Sequence, residues 1–404
     1  MKKASVILFG GTLLGVVGLA SLSVLDRETG ASFDRSQQAS VEQAATPPFV
    51  EHVNTPEAVR AVYMSQCASA SNELKTHLLK LVEDTELNSI VVDIKDFSGT
   101  VVFPSEVALS GGEGCKNNDF RALIKDMHAR GIYVIGRVTV FQDPLYTQAH
   151  PDQAVKRKSA TTTPWRDYKG LSFVEVGARP FWDYIIGISK EAHALGVDEI
   201  NFDYIRFPSD GNMSDVHYTL SPGNKADELE KFFRYLSQHM RVEEGGHTPM
   251  LSADLFGMVT TNHDDLWIGQ VLERALPYFD YIAPMVYPSH YPPGFNGYAN
   301  PNLNVYGVIK YSLDRAVPRV VATTTPVFSY AHERIGTSTP AVYTKKSYPA
   351  VALRPWLQDF DYGGNYGAEE VRAQIQATYD SGLNSWMLWD PANRYTKDAL
   401  LPAD

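Results

Sequence analysis

Eight short runs rich in β-branched and aromatic residues recur along this chain, each separated from the next by a stretch with helical apolar spacing. That alternation limits the fold more than any other feature. The runs are AVRAVYMSQ (58–66), NSIVVDIKD (88–96), GIYVIGRVTV (131–140), VDEINFDYI (197–205), PMLSADLFG (249–257), FDYIAPMVY (279–287), LRPWLQDF (353–360) and NSWMLWD (384–390). The intervening segments, among them SNELKTHLLKLVEDT, NNDFRALIKDMHARG, PFWDYIIGISKEAHALG, KADELEKFFRYLSQHMR, DDLWIGQVLERAL and AEEVRAQIQATYDSG, read as helices, several opening on Asn, Asp or Pro. Strands joined through helices are parallel, because a parallel pair needs a long crossover. Eight such units predict an α/β fold, a (β/α)8 TIM barrel over residues 56–404, whereas an open doubly wound sheet rarely needs so many strands.

Two insertions interrupt the pattern. Residues 141–180 follow strand three, and residues 304–350 lie between strands six and seven. In the second, VYGVIKYSLDRAV reads as helical, while VVATTTPVFSY leaves a broken helix, an extra strand and a long loop all open. Long loops at the carboxyl ends of barrel strands are where such folds build their sites.

The amino terminus, MKKASVILFGGTLLGVVGLASLSVL, places two lysines before about twenty uncharged residues, enough to cross a bilayer as a helix. Residues 1–25 are therefore expected to be a signal anchor or a cleaved signal peptide, with 26–55 a polar, proline-punctuated linker. The expected location is extracytoplasmic, tethered to the membrane by that helix or secreted. An exported chain permits a disulfide, and the only two cysteines, Cys67 and Cys115, form either that bridge or a pair of buried thiols. A net charge of -11 without a basic stripe argues against a nucleic-acid partner.

Candidate chemistry concentrates where the strands end. In VDEINFDYIRFP, Glu199, Asn201 and Asp203 alternate with the apolar Ile200 and Phe202, so the polar set points into the barrel and Asp203 reaches its mouth. Buried carboxylates and amides without partners are costly, so a polar column there calls for a purpose. Asp93, Lys95 and Asp96, then Arg137, Asp254, Tyr287, Gln358, Asp359 and Asp390 occupy other strand ends. Capping of the following loop is the simpler role for Asp96, Asp359 and Asp390. Several carboxylates near Tyr63, Trp356, Trp386 and Trp389 suit glycosidic-bond cleavage by a protonated acid and an ionised partner, with Asp203 central and Asp254 as the second catalytic carboxylate. Glu199, deeper in the barrel, is expected to tune Asp203 through a shared network. The sequence lacks HExxH, GxSxG, P-loop and GxGxxG patterns. His263, Asp264 and Asp265 have metal-ligand side chains, but they open a predicted helix, where capping is the simpler role; neither metal nor cofactor is expected.

The stretches NSIVVDIKDFSGTV, YVIGRVTVFQDP, VDEINFDYIRFP, LSADLFG, YIAPMVYPSHY, RPWLQDF and WMLWDPANRY, spanning about residues 58–396, resemble a bacterial family of extracytoplasmic TIM barrels grouped with the glycoside hydrolases and long catalogued as a domain of unknown function. The resemblance implies a catalytic strand end at Asp203. One departure bears on mechanism: WLQDF puts Gln358 and Asp359 where a large clan of retaining barrels carries a glutamate. The reading is a glycoside hydrolase acting on an envelope or extracellular polysaccharide, with Asp93, Lys95, Asp96, Arg137, Glu199, Asn201, Arg206, Tyr287, His290, Trp356, Gln358, Trp389 and Asp390 positioning the sugar. The rival reading is a glycan-binding barrel without catalysis.

Overall fold

The computed structural model describes residues 51–241 and 248–403. The expected membrane segment at 1–25 and most of the linker lie outside them; among the described residues no helix is long and apolar enough to cross a membrane. Eight parallel strands close into a barrel: β1 (Arg60–Met64), β2 (Ser89–Lys95), β3 (Tyr133–Thr139), β4 (Glu199–Asp203), β5 (Met250–Phe256), β6 (Tyr281–Met285), β7 (Trp356–Gln358) and β8 (Trp386–Trp389). Each falls inside one of the eight predicted runs. β1 pairs with both β2 and β8, which closes the ring and leaves no edge strand.

The helices α1 (Asn72–Asp84), α2 (Phe120–Ala129), α3 (Arg179–Ala194), α4 (Lys225–Met240), α5 (Val305–Val321) and α6 (Ala368–Asp380) pack outside the barrel. Their caps follow the local chemistry: Ser71 accepts from Leu74 N–H at 3.3 Å, and Asn224 accepts from Ala226 N–H at 2.9 Å. Each lays one apolar stripe on the strands, as Leu229, Phe232, Phe233, Leu236 and Met240 do for α4. Outward-facing strand residues such as Ile90, Val92, Ile200 and Phe202 belong to the same core. Gly136 in β3 is required by that packing, because a Cβ there would lie 2.7 Å from both Ile94 and Val197.

The insertions resolve into small antiparallel sheets. After β3 come a short helix, Pro144–Ala149, and a hairpin, Lys156–Arg157 with Ala160–Pro164, which pairs with Val216–His217 from the loop after β4. After β6, α5 runs on past Pro318 to Val321, and Thr324–Thr325, Glu333–Ile335 and Val342–Thr344 form a second sheet. The predicted helix DDLWIGQVLERAL is a correction. Only Leu272–Ala275 is helical, because Asp264 and Asp265 accept from the N–H groups of Leu266 (3.2 Å) and Trp267 (3.1 Å). Such local side-chain bonds compete with the helical ladder.

Candidate active site

The barrel interior is layered. In the deepest polar layer, both carboxylate oxygens of Glu199 accept from Arg354 Nη1, at 2.8 and 2.9 Å, and Tyr133 Oη donates to Oε2 at 3.1 Å. The Arg354 guanidinium also stacks 3.9 Å above the Tyr281 ring. Glu199 is therefore wholly consumed by a buried ion pair, and the expectation that it contacts sugar or tunes Asp203 is corrected. One layer higher, Asn201 Nδ2 donates to Ser252 Oγ (3.0 Å) and Asp254 Oδ1 (2.9 Å), supporting the site from beneath.

The top layer centres on Arg137. Its Nη1 donates to Asp93 Oδ1 at 2.6 Å, while Nε (3.2 Å) and Nη2 both donate to Asp203 Oδ2. Asp254 Oδ2 lies 3.8 Å from the same Nε. Tyr63 Oη donates to the other oxygen of Asp93 at 2.5 Å. The guanidinium lies 4.9 Å from the Trp389 ring, which in turn stacks on Tyr63. Burial opposes the charge of Arg137, but Asp93 and Asp203 outweigh it and hold the guanidinium well above its ordinary value.

Two of these carboxylates are held in different surroundings. Asp254 is 1% exposed, and burial, reinforced by the charge of Asp203, pushes its carboxyl well above the usual range. Its Oδ1 accepts two N–H bonds, from Asn201 and from Trp356 Nε1 at 2.7 Å. A proton on this carboxyl would therefore sit on Oδ2, the oxygen that accepts neither bond. Asp203 is gripped by Arg137 on Oδ2 and accepts the Tyr204 N–H on Oδ1 at 2.5 Å. Tyr204 itself has φ 51°, a left-handed backbone that is rare away from glycine and clusters at functional sites. Burial also raises the Tyr287 hydroxyl, with the charges of Asp254 and Asp203 acting in the same direction, so it stays a neutral donor.

These groups open into a cavity of about 530 Å³ lined by Arg137, Asp203, Asp254, Tyr287, Trp356 and Trp389 from the barrel and by Arg206, Ser209, Asp210, His290 and Phe360 from its loops. Lys169 reaches it from the first insertion, a role that no strand periodicity could signal. Asp210 and Phe360 were equally unmarked by pattern. Asp93 sits just below the lining, its carboxyl raised by burial against the pull of Arg137.

Several expected sugar ligands lie elsewhere. A bulge between Asp93 and Lys95 sets Lys95 opposite Val138 instead of Thr139, so its side chain leaves the mouth and is fully buried against the Thr139 carbonyl (2.7 Å) and Asp143 (2.9 Å). Asp96 closes a turn by accepting from Ser98 N–H (3.0 Å) and Oγ–H (2.6 Å). Gln358, fully buried, accepts from Ser289 Oγ–H at 2.8 Å and donates to the Phe360 carbonyl at 2.9 Å, fixing loops and not substrate. Asp390 accepts from the N–H groups of Ala392 (2.9 Å) and Arg394 (2.7 Å), and Asp359 from Thr396 N–H (2.9 Å) and Oγ–H (2.6 Å). Trp386 faces the helices, donating to Tyr379 Oη at 3.0 Å, because its neighbours Met387 and Trp389 hold the inward parity of β8. Cys67 and Cys115 are bonded to each other, far from this chemistry in function. His263 has only Glu273 near its imidazole, at 4.0 Å, and among the described residues no cluster of three or more His, Cys, Asp or Glu is arranged to hold a metal.

The family described as "Putative glycosyl hydrolase domain" matches residues 61–395, a span that includes every barrel-derived group of the site. No curated protein matches the chain. The fold is similar to the PgaB (BpsB) glycoside hydrolase domain from Bordetella bronchiseptica (13% identity, TM-score 0.58, covering 86% of this chain and all 100% of that one). It is also similar to alpha-L-fucosidase isoenzyme 2 from Paenibacillus thiaminolyticus (14% identity, TM-score 0.51, covering 85% of this chain and 48% of that one). A hypothetical protein from Ruminiclostridium thermocellum shares 32% identity over 48% of this chain and 96% of its own, with a TM-score of 0.42.

Proposed function

Since the chain belongs to the family of the "Putative glycosyl hydrolase domain", we propose that it hydrolyses glycosidic bonds of an extracytoplasmic or envelope polysaccharide, with Asp254 as general acid and Asp203 as its ionised partner. One observation carries the assignment. Asp203 accepts two N–H bonds from Arg137, whereas Asp254 lies 3.8 Å from the same guanidinium and is pushed strongly toward its neutral form by burial and by the charge of Asp203. Separation of two acids by environment is what glycosidic cleavage requires: one delivers a proton to the leaving oxygen and the other stabilises or attacks the cationic sugar carbon.

The remaining residues fit supporting roles. Arg137 fixes the Asp203 carboxylate, Asn201 and Trp356 aim Asp254 by occupying its Oδ1, and the Tyr287 hydroxyl, Trp389 and His290 offer donors and apolar faces to the ring. An exported location is supported by the apolar run at residues 4–25 and by the Cys67–Cys115 bond, since disulfides persist in oxidising compartments. The same run would tether the chain to the membrane if uncleaved.

The test is release of new reducing ends from a panel of envelope and extracellular glycans by the wild-type chain and by Asp203→Asn. Cleavage by the first and not by the second, with the fold intact, is the expected result. Glycans that bind equally to both proteins and are cut by neither would make the barrel a glycan-binding module.

A further inference from the structure

A second cavity, of about 510 Å³, adjoins the catalytic one and shares Ser209, Leu266 and Ile268 with it. Its wall presents Trp267, whose side chain is 84% exposed. Large indoles seldom stand free in solvent without a partner, because burial of that surface is favourable. Here the backbone itself holds the ring out: Leu266 (φ 52°) and Trp267 (φ 61°) are consecutive left-handed residues with bulky side chains. Such conformations persist only when their surroundings fix them, and they gather at ligand clamps. The clamp is visible. Asp264 and Asp265 accept from the two N–H groups, and Lys225 Nζ donates to the Trp267 carbonyl at 2.6 Å.

An independent observation lies in the same cavity. Tyr218 lines it, and the Tyr218 Oη is a buried polar atom with no hydrogen-bond partner. Closed off from solvent, that hydroxyl is not itself presented to the cavity, and what Tyr218 offers there is its ring. An exposed aromatic face, a second aromatic ring and a wall shared with the neighbouring cleft belong together.

We propose that this cavity is a second sugar subsite, in which the Trp267 indole stacks on the apolar face of a pyranose beside the Tyr218 ring, while the same glycan continues past Ser209 and Ile268 into the catalytic pocket. The inference rests on the glycosidase reading for the identity of the ligand. It adds that the substrate is a chain longer than one residue on that side and that recognition depends on chain length.

The experiment titrates the full chain carrying Asp254→Asn with soluble oligosaccharides of two to eight units, prepared by partial acid hydrolysis of each glycan in the panel, and repeats it with Trp267→Ala, Trp267→Phe and Tyr218→Phe added. Affinity is expected to rise with length; Trp267→Ala should weaken the longer oligomers about fivefold, leave disaccharides unchanged, and be largely rescued by Trp267→Phe. Tyr218→Phe should leave affinity unchanged, because it keeps the ring that lines the cavity. Unaltered length dependence in Trp267→Ala overturns the subsite, and so does failure of every oligosaccharide to bind. Cleavage that persists while Trp267→Ala changes nothing leaves the hydrolase reading standing without the subsite. Length-dependent binding through Trp267 in a chain that cuts no glycan does the reverse.

Discussion

Replacing Asp254 by Asn separates a proton donor from a structural hydrogen-bond acceptor. In the folded protein Oδ1 of Asp254 accepts from Asn201 at 2.9 Å and from Trp356 at 2.7 Å, while Oδ2 lies 3.8 Å from Arg137 Nε. An amide oxygen can accept both bonds, so the substitution keeps the buried donors of Asn201 and Trp356 satisfied. Its effect on stability should stay within about 1 kcal/mol, because burial already favours the uncharged form of the wild-type acid. Catalysis should behave otherwise. A positioned general acid contributes a factor on the order of 10² to 10⁴, or about 3 to 5 kcal/mol of barrier, when the leaving group is a sugar alcohol.

That contribution shrinks when the leaving group needs no proton. The assay therefore compares kcat/KM on the cleaved glycan with kcat/KM on a nitrophenyl glycoside of the same sugar, for wild type and Asp254→Asn, across pH. The loss should be large on the glycan and under about tenfold on the activated substrate. In wild type, activity on the glycan falls as pH rises through the raised pKa of Asp254, because the neutral form is the active one; in the variant that descending limb disappears. Equal losses on both substrates, or a descending limb that survives in the variant, would refute Asp254 as the acid.

Three further outcomes test the frame around the site. Glu199→Gln breaks a fully buried ion pair with Arg354 and should cost about 3 to 5 kcal/mol in denaturant unfolding while leaving the pH profile of cleavage in place; a shifted profile would tie Glu199 to the chemistry after all. Reduction of Cys67–Cys115, or Cys67→Ser with Cys115→Ser, opens a loop of sequence separation 48 and should cost about 4 kcal/mol by chain entropy, read as a lower Tm in the unreduced-versus-reduced comparison. Burial raises the Asp359 carboxyl to about 7, so the folded protein retains a proton there that the unfolded chain has released, and stability falls as pH rises toward neutrality. Asp359→Asn should remove that fall, gaining up to about 3 kcal/mol on wild type between pH 5 and pH 8, and a pH-independent difference would contradict the assignment.

The sequence by itself determined the architecture. Period-two runs, helical spacings and capping residues are local signals, and eight of them in order leave few topologies besides a closed parallel barrel. They also determined the inward column of Glu199, Asn201 and Asp203, because parity along one strand depends only on that strand. Tertiary structure decided what that column does. A one-residue bulge in β2, which no composition or motif could reveal, took Lys95 out of the mouth. Glu199 met its partner Arg354 from 155 positions away, and Asp254 met Trp356 from 102, so the roles of both acids rest on contacts far apart in the chain. The state of a carboxylate is set by burial and by the charges around it, quantities that exist only once distant strands have closed on one another. Lys169 in the first insertion and Trp267 in the loop after β5 lie beyond the reach of any periodic signal.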